Sequence, residues 1–340
     1  MTVKEIAALA KVSIGTVDRV IYRRGRVAAE TKARIEAIIE KYQFTPNPIA
    51  RRLKRNRAYR FCVFLPRQDQ DAGYWGQALE GIQEGAGQIA PLGVETKIIE
   101  FDRYSMGSFR RAAASLLAEN PDGIMLSPIM PGKIKTLITN IQEREIPCIF
   151  FDADLPDANP LCAIGQDSFR GGYLAGRLMQ LLAGRITKPV AVLDAHGEDY
   201  HITRRRDGFL RYADEQGFPT VVREYSGYKG AEISADEIAL FLRKYRDLTG
   251  IFITNCMAHR VVEAAESQKK HPFLLVGYDL IPKNRELLRE GGIDAIISQR
   301  PESQGRQALL NLYRHIVLEQ QIPPKIERPL DVYIKENIPL

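Results

Sequence analysis

The sequence predicts an α/β protein in which a small all-helical N-terminal segment precedes two doubly wound parallel-sheet subdomains with a cleft between them. Its 340 residues are enough for about two domains of ordinary size. Beyond residue 60, short apolar runs alternate with amphipathic stretches, which is typical of parallel sheets covered by helices on both faces. There are too many strand–helix units for one ordinary sheet, and this favours two subdomains.

Ten apolar runs predict the strands of these subdomains, at residues 61–65, 96–99, 123–126, 148–151, 163–165, 190–193, 221–222, 251–253, 273–276 and 295–297. The amphipathic stretches between them predict helices, among them 76–89, 107–119 and 303–318. Residues 330–340 predict a last strand and a short tail.

The composition excludes several classes of protein. It is 45% hydrophobic and 26% charged, a globular profile. No apolar run approaches the roughly 18 residues of a membrane helix. The N-terminus lacks the apolar core of a signal peptide, so export is not expected. Four widely separated cysteines fit a reducing cytoplasm, and we expect them to be core residues: Cys62, Cys148, Cys162 and Cys256.

Positive charge is concentrated in the first sixty residues. They contain 15 lysines and arginines against 5 aspartates and glutamates, whereas the remaining 280 residues contain 33 against 37. A basic head on a mildly acidic body suggests that the head meets a polyanion. A solvated basic face is the alternative interpretation of the charge alone.

The head predicts three helices within fifty residues. Thr2 and Glu5 have the spacing of a capping box, and Ser13 is a candidate N-cap for a second helix after a tight turn. In that second helix Val17 and Val20 belong to the apolar stripe, which leaves Arg19 facing outward. Two short helices joined by a tight turn, followed by a third helix, are typical of a helix-turn-helix module.

A short basic segment follows the third helix, which Thr45-Pro46-Asn47-Pro48 terminates. Residues 49–55 are too short and too charged to form a stable isolated helix. They would fold against DNA, with arginines on phosphates and Leu53 wedged between base steps. An ordinary charged linker is the alternative.

These motifs together resemble the LacI/GalR family of bacterial transcription regulators. Ser13-Ile14-Gly15-Thr16-Val17-Asp18-Arg19-Val20 is similar to the family's VSxxTVSRV helix, and Pro46-Asn47-Pro48-Ile49-Ala50-Arg51-Arg52-Leu53 is similar to its PN-x-x-A-x-x-L hinge. The resemblance implies a DNA-binding domain at residues 1–45, a hinge at 46–57, and an effector-binding and dimerisation core at 58–340.

By that resemblance eight residues are candidates for operator contact: Ile14, Gly15, Thr16, Arg19, Asn47, Ala50, Leu53 and Lys54. Ile14, Gly15 and Arg19 correspond to base-reading positions, and Arg19 can pair bidentately with guanine. Three residues depart from the family pattern. Asp18 and Ala28 replace serines, and Gly15 has no side chain with which to read a base.

The body carries little that indicates catalysis. It has no GxxxxGK[ST] loop, no GxSxG elbow and no histidine spacing that suggests a metal, so no cofactor is expected. His196 and His201 follow a predicted strand end, where they could approach a ligand, but we favour the interpretation that they are surface residues. We interpret Glu198-Asp199 as a solvated loop pair.

Polar residues instead follow several predicted strands, where open α/β sheets bind ligands. They are Asp152, Asn255, Asp279 and Gln299. Each alone is more often a turn or cap residue, but four at equivalent strand ends indicate a binding site. Tyr74 and Trp75 could stack on the apolar face of a sugar.

The resemblance to the family extends over this body, as the sugar-binding, periplasmic-binding-protein-like core of such regulators. It implies ligand contacts by the four strand-end residues, by Arg205 and by the aromatic pair Tyr74 and Trp75. Between Arg204, Arg205 and Arg206, the sequence leaves open which side chain faces the cleft.

We therefore predict a cytoplasmic, homodimeric repressor that binds double-stranded operator DNA and whose affinity is controlled by a small ligand, a sugar. It is not expected to be an enzyme or to interact with membranes. A transport-type sugar-binding protein and a sugar-handling enzyme are the alternatives, since either could use the same cleft.

Overall fold

The computed structural model describes residues 1–21, 25–42, 44, 58–225, 233–267 and 273–338. By its internal contacts the chain divides into two units, Met1–Arg57 and Ala58–Leu340. The predicted hinge at residues 46–57 lies outside the described residues, together with Asn47, Ala50, Leu53 and Lys54. Among the described helices, none is both long and apolar enough to cross a membrane.

The head contains three helices, α1 (Val3–Ala10), α2 (Ile14–Ile21) and α3 (Ala29–Lys41). The predicted capping box is confirmed, because Glu5 N donates to Thr2 Oγ1 at 3.2 Å and Thr2 N donates to Glu5 Oε2 at 2.8 Å. Ser13 caps α2 by accepting from Thr16 N at 3.1 Å. The helices pack around a small core of buried apolar residues, namely Ile6, Ala7, Ala10, Val17, Val20 and Ile35.

The second unit alternates strands and helices. Its helices are α4 (Tyr74–Ile89), α5 (Met106–Ala118), α6 (Pro131–Glu143), α7 (Ser168–Ala183), α8 (Tyr200–Gln216), α9 (Ala235–Lys244), α10 (Ala258–Glu266), α11 (Pro282–Glu290) and α12 (Pro301–Ile316). Its strands are β1 (Tyr59–Pro66), β2 (Val94–Phe101), β3 (Gly123–Leu126), β4 (Cys148–Phe151), β5 (Cys162–Gly165), β6 (Val190–Ala195), β7 (Thr220–Tyr225), β8 (Gly250–Ile253), β9 (Leu274–Tyr278), β10 (Ala295–Ser298), β11 (Lys325–Glu327) and β12 (Asp331–Tyr333).

These strands form two six-stranded sheets, which confirms the predicted fold class. The first has the order β11-β5-β4-β3-β1-β2 with parallel pairing, and we call it, with its helices, the N-subdomain. The second, in the C-subdomain, has the order β12-β10-β9-β8-β6-β7 and is parallel except for β12. The strand order reverses beside β1 and beside β6, where such sheets bind ligands at their carboxyl ends.

The chain passes between the subdomains three times, at residues 166–167, 299–300 and 328–330. As a result α12 follows a strand of the C-subdomain but packs on α4 of the N-subdomain. Glycines permit this close packing. A Cβ atom at Gly81 in α4 would lie 1.8 Å from the carbonyl oxygen of Glu302 in α12.

All ten predicted strands are present, and several are longer than predicted. The predicted last strand is β12. The sequence analysis missed β11, which adds three residues to the edge of the N-subdomain sheet beside β5. Its sequence, Lys-Ile-Glu, has one apolar residue, and neither charged side chain is buried, so its pattern differs little from that of a loop.

Candidate ligand cleft and DNA-reading helix

The second helix of the head exposes the residues predicted to read DNA bases. Ile14, Gly15 and Arg19 are exposed on α2, whereas Thr16 is half-buried and its hydroxyl lies 2.9 Å from that of Ser13. Ala28 stands at the N-cap of α3, where its methyl group offers no hydrogen-bond acceptor. The direct operator contacts of these residues remain predictions.

All seven predicted ligand-binding residues lie around one cleft of the core. These are Tyr74, Trp75, Asp152, Arg205, Asn255, Asp279 and Gln299. The first three belong to the N-subdomain, the next three to the C-subdomain, and Gln299 to a segment that connects them. The cavity volume is about 30 Å³, room for one or two water molecules, so a larger ligand requires the cleft to widen.

Arg205 is the arginine of the three that faces the cleft, with 1% of its surface exposed. Its Nη1 donates to the carbonyl of Thr254 at 2.9 Å, and its guanidinium carbon lies 3.7 Å from the ring centroid of Tyr278. Among the described residues, its Nε and Nη2 atoms have no hydrogen-bond partner. Arg204 and Arg206 have side chains exposed by 38% and 20%.

Two buried carboxylates flank Arg205. Asp152 accepts hydrogen bonds from the hydroxyls of Tyr74 and Ser127, the latter at 3.1 Å. Asp279 accepts from Gln299 Nε2 at 3.1 Å. In the described part of the chain, Gln299 Oε1 has no donor. This half of the cleft therefore has buried polar atoms without partners, and such atoms are rare in proteins unless something binds to them.

The backbone at both strand ends is left-handed, with φ of +70° at Asp152 and +63° at Asp279. Such residues are uncommon and cluster at binding sites, where the surrounding contacts maintain them. Burial raises the pKa of Asp279 to about 7, against the opposing charge of Arg205. Burial likewise raises the pKa of Asp152, against its hydrogen bond from Tyr74.

A second group of buried charges crosses the cleft, and we call Asp71, Arg103 and Asp199 the Arg103 cluster. Arg103 Nη1 donates to Asp71, and Arg103 Nη2 donates to Asp199 Oδ2 at 2.9 Å. Asp71 also accepts from Trp75 Nε1 at 2.6 Å, and Asp199 accepts from the backbone N of Met130 at 2.6 Å. Burial opposes ionisation, yet Arg103 holds the pKa of both carboxyls below the usual value.

The interpretation of Asp199 as a solvated loop residue is wrong, because it is 1% exposed and ion-paired. The interpretation of His196 and His201 as surface residues is also wrong, since both are buried and line the cleft. Burial, reinforced by nearby arginines, lowers the pKa of His196 to about 4 and that of His201 to about 3. Both imidazoles are therefore neutral at pH 7.

Sequence reasoning missed Asp71 and Arg103, although a signal for Arg103 existed. The apolar run of β2 was taken to end at residue 99, whereas the strand continues to Phe101. With that boundary Arg103 follows a strand end, as the predicted ligand residues do. In the described part of the chain, no cluster of His, Cys, Asp or Glu side chains is arranged to hold a metal ion.

Both units of the chain match models of known protein families. Residues 62–320 match the family model of the periplasmic binding protein domain, and residues 2–47 match that of bacterial regulatory proteins of the lacI family.

Among individual proteins, the transcriptional repressor PurR of Escherichia fergusonii is 27% identical over 216 residues, 63% of this chain and 60% of that protein. PurR of Yersinia pestis is 24% identical over 96% of this chain and 93% of that protein. The crystal structure of a putative LacI transcriptional regulator from Bacteroides fragilis has a TM-score of 0.75 and 27% identity, covering 83% of this chain and 99% of that one.

A helix-turn-helix unit on the same chain as a two-subdomain, cleft-containing core defines a DNA-binding regulator with a ligand-binding domain. The chain belongs to the LacI family of bacterial transcription regulators, with a core of the periplasmic-binding-protein type. It is a DNA-binding transcriptional regulator.

Proposed function

We propose that this protein is a repressor that binds an uncharged, polyhydroxylated molecule, a sugar or a cyclitol, in the cleft between its subdomains, and that the ligand controls its affinity for operator DNA. The observation that carries the proposal is the set of buried atoms without partners around Arg205. Its Nε and Nη2 are donors and Gln299 Oε1 is an acceptor, and among the described residues none of the three is satisfied.

A hydroxyl group both donates and accepts, so a polyol matches this mixture of atoms. Its hydroxyl oxygens would accept hydrogen bonds from Arg205, and its hydroxyl groups would donate hydrogen bonds to Asp152, Asp279 and Gln299. Hydrogen bonds to ionised groups are the stronger ones, and a buried site enforces discrimination because an unmatched partner leaves a polar atom unpaired.

The charges of the cleft favour a ligand without negative charge. Asp152 and Asp279 flank Arg205, and Asp71 and Asp199 flank Arg103, so each half has two carboxyl groups for one guanidinium. With a pKa of about 7, Asp279 is partly protonated at neutral pH, but each guanidinium still has carboxyl groups beside it. The two neighbouring histidines are neutral at pH 7. A carboxylate or phosphate on the ligand would add a further anion to a buried site, at an electrostatic cost.

Ligand control of DNA binding follows if the ligand favours one relative orientation of the subdomains. In a homodimer this reorientation would alter whether paired hinge segments fold on DNA. A dimer is proposed because one recognition helix reads one half-site. Leu53 is proposed as the hinge wedge, so Leu53→Ala should weaken operator binding strongly and leave ligand affinity nearly intact.

The experiment that tests the proposal begins with selection from a random duplex DNA pool at two salt concentrations. Enrichment of a palindrome with two half-sites would support the operator-binding homodimer. Binding that depends on salt without enrichment would indicate an electrostatic patch and contradict the proposed operator specificity.

The second part of the experiment tests ligands in matched pairs. D-glucose against D-glucuronate, and myo-inositol against an inositol phosphate, differ mainly in charge. We expect uncharged members of such a panel to raise the melting temperature and to change affinity for the selected DNA. Stabilisation by the anionic members alone would contradict the charge argument. Recovery of the bound sugar chemically unchanged after incubation would argue against a sugar-handling enzyme. We propose that the repressor acts in the cytoplasm.

A further inference from the structure

We propose that the Arg103 cluster is a lock that holds the two subdomains closed over the cleft, with Arg103 and Asp199 as positioning residues for ligand binding. Asp71 and Arg103 belong to the N-subdomain, and Asp199 immediately precedes α8 of the C-subdomain. Each of the three side chains is buried, with no more than 6% of it exposed. This inference does not depend on the identity of the ligand.

The orientation of Asp199 is the first argument for a lock. An aspartate at a helix N-cap ordinarily accepts from the N–H groups of its own first turn. Asp167 does so at the N-cap of α7, where it accepts from Arg170 N at 3.0 Å. Asp199 instead directs one oxygen to Met130 N at 2.6 Å and the other to Arg103 Nη2 at 2.9 Å. Both donors belong to the opposite subdomain.

The shape of Arg103 is the second argument. Its planar guanidinium donates from Nη1 to Asp71 and from Nη2 to Asp199, so one side chain joins a carboxylate of each subdomain. The N–H groups of a guanidinium form a fork of fixed geometry that can make such a bridge. The ammonium of a lysine is a compact point charge without this fork. Because the group is buried, charge-assisted hydrogen bonds in it are weakly screened and expensive to break.

Two further hydrogen bonds join the subdomains. The thiol of Cys256, in the C-subdomain, donates to the backbone carbonyl of Asp71 at 3.2 Å. Gln77 Nε2, on α4, donates to the carbonyl of Leu280 at 3.2 Å. Asp71 has a left-handed backbone, with φ of +51°, so its position depends on the surrounding contacts.

A lock made of protein groups does not need a ligand in order to form. It would raise the population of the closed form and lower that of the widened form that a sugar-sized ligand needs, and the apparent affinity of a ligand increases with the population of the form that binds it. Weakening the lock should therefore open the cleft and increase ligand affinity, without removing a group that contacts the ligand around Arg205.

The test uses Asp199→Asn in the full chain. Asparagine matches aspartate in size and keeps one acceptor oxygen, α8 has no side-chain cap from Asp199 to lose, and Arg103 keeps Asp71 as its counter-ion. The readout is Trp75, which is the single tryptophan of the chain, is 2% exposed, and donates to Asp71. Acrylamide quenching of its fluorescence, together with small-angle scattering, reports opening of the cleft.

We expect Asp199→Asn, without added ligand, to shift the ratio of open to closed forms roughly tenfold, because a hydrogen bond to a charged partner is lost. Quenching and the radius of gyration should both increase. Asp247→Asn, the same change at an exposed carboxylate of the C-subdomain that pairs with Lys188, should behave like the wild type. Arg103→Lys keeps the charge but loses the fork, so it should open the cleft as Asp199→Asn does.

Wild-type quenching and scattering in Asp199→Asn would overturn the lock. An equal increase in Asp247→Asn would overturn it as well, because the effect would then follow from losing any carboxylate of the C-subdomain. If Asp199→Asn does not fold, the same measurements are made on Arg103→Lys. Wild-type quenching and a wild-type radius of gyration in that variant would reject the proposal.

Discussion

Gln166 and Ser298 are joined by a hydrogen bond of 2.8 Å from the Gln166 side-chain nitrogen to the Ser298 carbonyl. The same Nε2 atom donates to the carbonyl of Pro329 at 2.7 Å. These residues belong to, or adjoin, the three segments that pass between the subdomains. The side-chain amide of Gln166 therefore joins all three connecting segments, at the point about which the cleft opens and closes.

Gln166→Ala should loosen this connection. Both carbonyls lose their donor, and we expect a loss of about 1–2 kcal/mol in the free energy of unfolding. Hydrogen exchange should accelerate at Arg328 N, which donates to Gly165 beside the substituted residue. Gln88→Ala, on the exposed surface of α4, is the control and should leave exchange there unchanged. Unchanged exchange in Gln166→Ala would show that the amide does not hold the connection.

Asp279 should make the stability of the core depend on pH. Its pKa is about 7 in the folded protein, against 3.8 for an ordinary aspartate, so the folded state binds more protons between these values. The stability contributed by the protonated carboxyl is fully present below pH 3.8 and is lost as the pH rises through about 7.

Asp279→Asn removes this dependence. From pH 5 to pH 8 the wild type should lose on the order of 1–3 kcal/mol of unfolding free energy that the variant does not lose. Calorimetric melting at the two pH values measures the difference. Asp247→Asn, at an exposed carboxyl paired with Lys188, should retain the wild-type dependence. A wild-type pH dependence in Asp279→Asn would mean that this carboxyl is ionised at lower pH than burial implies.

The sequence was sufficient for the fold because buried parallel strands are continuous apolar runs. Ile149-Phe150-Phe151 and Ile251-Phe252-Ile253 have no exposed face, so their pattern is unambiguous. β11 was missed because an edge strand of three residues has no such run. Local pattern also predicted the caps of the head, since Thr2 and Ser13 act within three residues of themselves.

The candidate site was predictable only where the strand-end rule applied. Asp152 and Asp279 follow apolar runs directly, but Asp199 stands four residues beyond β6. Its partners, Arg103 and Met130, are 96 and 69 residues away in the chain. No local pattern distinguishes an aspartate that caps its own helix from one that binds the opposite subdomain, so the Arg103 cluster required the structure.

Two glycines of α4 should respond in opposite directions to alanine. A Cβ at Gly81 would lie 1.8 Å from the carbonyl oxygen of Glu302, so Gly81→Ala must push α12 away. We expect a loss of about 3 kcal/mol or more in stability. At Gly87 no atom lies within 4 Å of the added Cβ among the described residues, and Gly87→Ala should stabilise the helix by about 0.5–1 kcal/mol. Denaturant titration compares them, and equal effects would contradict the packing argument.

Arg19 should determine which DNA sequence the head prefers. Its side chain is exposed on α2, and a guanidinium that pairs with guanine contributes about 1–3 kcal/mol of discrimination against the wrong base. Arg19→Ala should therefore weaken binding to the selected operator far more than binding to random DNA. Lys41→Ala, which removes one charge from the end of α3, should weaken both by similar factors. Fluorescence anisotropy with both duplexes at two salt concentrations measures the difference. If Arg19→Ala weakens binding to both duplexes equally, Arg19 contacts phosphate and the base-reading role passes to its neighbours on α2.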